Sequence, residues 1–175
     1  MNTHNQEFYE SQKKNQWWLH LLLAISEIGV LYGIYKQVVI GETFGTQPAP
    51  TGILIGVFFF TLFIHFFITQ VVRLETKVDK FGIYYRFRPF INSFQFVGKN
   101  DLNKCEVVKY NPLLEYGGWG FRLGLFSNKG RAYNIKGNIG LRLEWLNGKK
   151  LLIGTQKPQE LRQTLNLWIK KKEVE

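Results

Sequence analysis

Apolar residues in this chain form two unbroken blocks near its start and then give way to short alternating runs. The first block runs from Trp17 to about Ile34, and the second from about Gly52 to Val72. From Gly52 through Thr69 no residue is formally charged. A helix rises about 1.5 Å per residue, so about 20 residues cross a hydrocarbon core of about 30 Å. Both blocks are long enough. A surface helix of a soluble domain shows a polar stripe at helical spacing. The second block, with Phe58, Phe59, Phe60, Phe66 and Phe67, shows none. A chain of 175 residues can hardly wrap a helix that is apolar all round. The blocks predict transmembrane helices over about 17–36 and 52–72.

The first block carries Glu27 near its centre, at a cost of about 2.5–3.5 kcal/mol for insertion, which its leucines and isoleucines offset. Sixteen polar residues precede it and no small-x-small site follows, so it does not read as a cleavable signal. Trp17 and Trp18 stand at its start, where indole rings favour a membrane interface. The linker Gly41–Pro50 is short and rich in Gly and Pro, which are turn formers. It predicts an antiparallel hairpin with both ends on one side. Of the 23 Lys and Arg, 20 follow Val72, and only Lys36 lies near the linker. The positive-inside rule then places both termini in the cytoplasm of an inner membrane. The expected layout is a cytoplasmic tail (1–16), a transmembrane hairpin (17–72) and a cytoplasmic domain (73–175).

From Arg73 onward the period becomes two. Leu74, Thr76 and Val78 share one face, and Ile83, Tyr85 and Phe87 another, which is a β-hairpin pattern. Phe94–Val97, Glu106–Tyr110, Gly120–Leu125 and Arg131–Ile135 are further short candidates. Leu141, Leu143 and Trp145 alternate with Arg142, Glu144 and Leu146. Asn147-Gly148 then matches a two-residue type I′ turn, and Lys150–Ile153 returns. A final helix starts at Pro158, carries Glu160 at its N-terminal end, and places Leu161, Leu165 and Trp168 on one face, with Ile169 alongside. About seven strands followed by one amphipathic helix predict a small barrel or sandwich capped by a helix. The fold class is an α+β membrane protein.

Chemistry is sparse. Cys105 is the sole cysteine, so no intrachain disulfide is expected, and the three histidines lie far apart in sequence, so no zinc site or other metal or cofactor is expected. No nucleotide-binding or nucleophile motif is present. Asp101, Glu106, Glu115 and Glu144 are scattered, and no acid and base are paired, so no enzyme is expected. Residues 73–175 hold 20 Lys/Arg against 9 Asp/Glu, a surplus of 11. Near an anionic leaflet each basic residue contributes about 1 kcal/mol. Basic residues are spread singly through strands, which argues against nucleic acid as a partner. Within the bilayer, Glu27 and His65 are the ionisable pair whose depths differ by about one helical turn, and they are candidate partners across the helix interface.

Tyr116-Gly117-Gly118-Trp119-Gly120-Phe121-Arg122, Ala132-Tyr133-Asn134, Gly137-Asn138-Ile139-Gly140-Leu141 and the run from Leu152-Ile153-Gly154-Thr155 to Leu161 resemble a recurring pattern. It occurs in uncharacterised bacterial membrane proteins with a two-helix hairpin and a pleckstrin-homology-like (PH-like) domain. The resemblance implies a fold and a topology and no activity. Of these residues, Gly117, Gly118, Trp119, Asn134, Gly137, Asn138, Gly154 and Thr155 read as structural, through turn geometry and an anchoring indole. Arg122 either bonds loop carbonyls or takes an anion. With Lys136 and Lys157 it forms the candidate ligand or surface contact. The expected role is a membrane-anchored binding or scaffolding module on anionic headgroups. The alternative is a small subunit that meets another membrane protein through its hairpin.

Overall fold

A computed structural model describes residues 8–14, 17–124 and 129–170. It is α+β, with two apolar helices, two β-sheets and two further helices. The chain divides into a helical unit, Lys14–Val71, and a β-rich unit built from the segments on either side of it.

In the helical unit, α1 (Trp17–Tyr35) runs on into a π-helical turn, Lys36–Ile40, and α2 (Thr51–Phe66) into another, Phe67–Val71. The helical stretches therefore cover Trp17–Ile40 and Thr51–Val71, and the linker between them is the predicted Gly41–Pro50. The helices pack antiparallel. At the loop end, Gln37 Nε2 donates to the Ala49 carbonyl at 3.1 Å, and Thr51 Oγ1 donates to Gln37 Oε1 at 2.9 Å. Lys36 pairs with Glu42 at 3.1 Å. The Phe44 ring lies against Gly33, where a Cβ would come within 2.8 Å of Phe44 Cδ1.

In the β-rich unit, β1 (Phe8–Lys13), β2 (Arg73–Val78), β3 (Gly82–Arg88) and β4 (Gln95–Gly98) form one antiparallel sheet in chain order. A second sheet contains β5 (Leu102–Lys109), β6 (Gly120–Arg122), β7 (Arg131–Asn134), β8 (Ile139–Trp145) and β9 (Lys150–Gly154). Its order is β5-β8-β9-β7-β6, with β7 and β9 parallel. These are two separate sheets rather than a closed barrel. They share one core. Leu74, Val78, Ile83 and Phe87 meet Tyr133, Leu141, Leu143 and Ile153, and Leu161 and Leu165 of α4 (Pro158–Lys170) cover it. Fully burying such a side chain contributes about 1.5–3 kcal/mol. The short helix α3 (Pro112–Tyr116) joins β5 to β6.

Several expectations change. The segment expected as a polar tail supplies β1, paired along its whole length with β2. Its inward residues are Phe8, Glu10 and Gln12, at 3%, 4% and 5% exposure. The Asn147-Gly148 turn is not type I′, which needs positive φ at two successive residues. Gly148 alone there has positive φ, +77°. Its N–H donates to the Trp145 carbonyl, and the Trp145 N–H donates to the Lys149 carbonyl, both at 2.9 Å. The loop is therefore Leu146-Asn147-Gly148, a type I turn closed by a glycine bulge. The Trp168 and Ile169 side chains and Leu125 lie outside the described residues.

Candidate functional site

The hairpin gathers three ionisable side chains. His20 and Glu27 are seven residues apart on α1, two turns, so they share a face. His65 sits on α2 opposite the gap between them. Its Nδ1 lies 2.9 Å from Glu27 Oε1, and its Nε2 lies 3.0 Å from His20 Nδ1. The two rings are 5.2 Å apart and tilted by 52°. Both nitrogens of His65 are thus engaged across the helix interface.

The donor and acceptor roles in this chain depend on the tautomer of each ring. Against a Glu27 carboxylate, His65 Nδ1 donates. Neutral His65 then accepts at Nε2 from His20 Nδ1–H. If His65 is doubly protonated, its Nε2–H donates to His20 instead. The Thr69 hydroxyl donates to the His65 carbonyl at 2.8 Å, where α2 passes into its π turn. Such turns take up backbone that a regular ladder leaves unpaired, and they are frequent at functional sites. His20 was missed by the sequence reading. Its seven-residue spacing from Glu27 was the available signal.

The residues read as a motif form a structural knot at one end of the second sheet. Asn134 is fully buried. Its Oδ1 accepts from the Gly120 N–H at 2.7 Å, and its Nδ2 donates to the Tyr110 hydroxyl at 2.9 Å. Gly154 lies against it, because a Cβ there would stand 2.8 Å from Asn134 Cβ. Burial pushes the Tyr110 phenol up to about 12, and the Asn134 bond partly offsets this. Gly117 ends α3 in the left-handed conformation, at φ +70°. Gly118 and Gly120 also have positive φ. The Trp119 ring is 39% exposed and donates Nε1–H to the Gly137 carbonyl at 2.8 Å. It is a latch between two loops, consistent with an anchoring indole. The Asn138 carbonyl accepts from the Tyr110 N–H, and the Thr155 N–H donates to the Ile139 carbonyl.

Arg122 Nη2 donates to the Trp119 carbonyl at 3.2 Å, which favours the loop-bonding reading. The exposed Lys157 pairs with Glu160 at 3.0 Å. Lys136 is exposed, and its carbonyl accepts from Gln156 Nε2. Cys105 packs against the core, and burial, with Glu106 adding to it, raises its thiol to about 12.

Two buried carboxylates escaped the sequence reading. Glu75 bonds Arg86 through two guanidinium nitrogens and accepts from the Tyr9 hydroxyl at 2.9 Å. The Arg86 bonds hold Glu75 below the usual carboxylate range despite burial. The same carboxylate raises the Tyr9 phenol. Glu10 accepts from Thr155 Oγ1 at 2.6 Å and from the Gln156 N–H at 2.7 Å. Among the described residues, no group of three or more acidic, histidine or cysteine side chains is placed to hold a metal ion.

No curated protein and no solved structure matches the chain. One family profile matches residues 8–169, which take in both units and every group just described. The chain belongs to DUF6141, a family of unknown function.

Proposed function

We propose that this protein is a membrane-anchored binding or scaffolding module. Its helical unit spans the cytoplasmic membrane twice, and its PH-like β-rich unit faces the anionic inner leaflet. The observation that carries this is the surface of the hairpin. Each helical stretch is long and apolar enough to cross a bilayer, and almost none of either is buried by the chain. A core helix of a soluble protein hides such side chains. Here Leu22, Ile25, Ile28, Phe59, Phe60 and Phe63 all lie open. A membrane supplies the solvent they need.

The topology supports both termini on one side. The hairpin is inserted between β1 and β2, which pair with each other, so the chain leaves and returns at the same place. The surplus of 11 positive charges after Val72 supports a cytoplasmic position for that side and an affinity for anionic headgroups. The direct test is extraction of membranes carrying the full chain. Retention in the pellet at alkaline carbonate, with tags at both ends shielded in intact cells, is the expected result. Release into the wash, or an externally accessible tail, would end the proposal.

A second reading has its own observation. The His20–His65–Glu27 chain places polar chemistry inside the hairpin, which suits a small subunit that assembles with another membrane protein through these helices. Replacing the hairpin by an unrelated two-helix anchor separates the two. The binding module keeps its function, and the subunit loses it.

A further inference from the structure

The β-rich unit contains a cleft of about 530 Å³, within the range of small-molecule sites. Tyr85 reaches it from the first sheet, and Arg131, Tyr133, Trp145 and Lys149 from the second. Among the described residues, no Asp or Glu lines it. The Tyr85 and Tyr133 rings are 5.8 Å apart. The strand pattern decides which cations face inward. Arg131 shares the face of Tyr133, two residues on, and Lys149 sits opposite Trp145 across the glycine bulge. Lys150, the cross-strand partner of Glu144, also lines the cleft, beside Gly130. Among the described residues, neither Arg131 nor Lys149 has an ion pair, and the Tyr85 hydroxyl has no hydrogen-bond partner. Burial raises the Tyr85 phenol, and the nearby Arg131 charge pulls the other way.

We propose that this cleft binds a phosphate-bearing ligand, its anion held by Arg131 and Lys149 and its organic part packed against Tyr85, Tyr133 and Trp145. Two cations without counter-ions, beside a phenolic donor and an aromatic wall, match an organic phosphate in charge and in shape. A phospholipid headgroup and a soluble phosphate ester present this same chemistry. The site does not depend on the membrane reading, since a soluble ester needs no bilayer.

The test is calorimetric titration of the full chain in a neutral detergent with phenyl phosphate, which carries both an anion and a ring. Saturable binding is expected, tighter than for inorganic phosphate and absent for phenol. Arg131→Gln and Lys149→Gln should each weaken it about tenfold or more, the loss of one charge-assisted bond. Lys104→Gln removes the same charge from an exposed lysine outside the cleft and should change affinity less than twofold. Circular dichroism of each variant identifies any that fails to fold, and the other inward-facing variant then decides. Absence of saturable binding, or an equal loss in Lys104→Gln, would overturn the site. Displacement of phenyl phosphate by dihexanoyl phosphatidylglycerol would assign the site to a headgroup. Lack of displacement would assign it to a soluble ester.

Discussion

Lys13 and Arg73 are direct partners in the antiparallel ladder of β1 and β2, although 59 residues lie between them in the chain. Everything between them is the helical hairpin and its connections. The β-sheet closes around the insertion as though it were an ordinary strand connection.

Partners in such a ladder have Cα atoms about 4.5–5.5 Å apart, a gap that a two-residue turn spans. Replacing residues 14–72 by Asn-Gly should therefore give a soluble protein that retains the β-rich fold. Circular dichroism and a cooperative thermal transition without detergent check this. Aggregation on expression would mean that the β-rich unit needs the hairpin to fold.

The Glu27–His65 contact should appear as energetic coupling. Interhelical polar contacts in membranes average about 0.6 kcal/mol and reach about 1.7 kcal/mol. The cycle of Glu27→Gln, His65→Leu and the double variant, measured by unfolding in micelles, should give a coupling in that range. His20→Leu should couple to His65→Leu as well. Additive effects would show that the three side chains act separately.

Glu75 sets an acid limit on stability. Its folded-state pKa is lowered, chiefly by Arg86, so the folded state favours the carboxylate. The sign follows from linkage. The contribution is fully present above the unfolded value of about 4.3 and is lost as pH falls through the folded one. Removing one partner of such a buried pair costs about 3–5 kcal/mol. Arg86→Ala should lower the denaturation midpoint strongly at pH 7, and its gap from wild type should shrink in acid. A gap that stays constant to pH 3 would contradict this.

Cys105 should be inert at ordinary pH. A thiol raised to about 12 is almost wholly protonated at pH 8, and the thiolate is the reactive form. Alkylation of the native protein by iodoacetamide should be more than about a hundredfold slower than in denaturant. Equal rates would place Cys105 outside the core.

The Asn134 knot makes a prediction about packing. Asn134→Ala strands the half-buried Gly120 N–H and removes the Tyr110 bond, at about 1–3 kcal/mol for each group left unsatisfied. Gly154→Ala pushes a methyl group into the Asn134 backbone and should cost about 1–3 kcal/mol. Thermal melting of the two variants measures both.

The strands after Arg73 were legible because their inward residues are apolar and recur with period two, as at Leu74, Val78, Ile83 and Phe87. Strand β1 was not. It alternates just as strictly, but two of its three inward residues are Glu10 and Gln12, so the hydrophobic signal vanishes. Their partners, Gly154, Thr155 and Gln156, lie more than 140 residues away. Glu27 and His65 could be matched by depth alone, because two antiparallel helices fix that coordinate. His20 was readable too, since its two-turn spacing puts it on the face of Glu27, but its imidazole is a single polar group in an apolar run. The turn at Asn147 was misread because a dipeptide preference does not say which residue pairs across the strands, and here Trp145 pairs with Lys149.

The buried Glu10 carboxylate also imposes an order on biosynthesis. Its acceptor oxygens wait for Thr155 and Gln156, which leave the ribosome long after both greasy helices. Both helices are therefore complete while Glu10 is still without these partners. The finished sheet then acts as a clasp that shuts only when translation is nearly over.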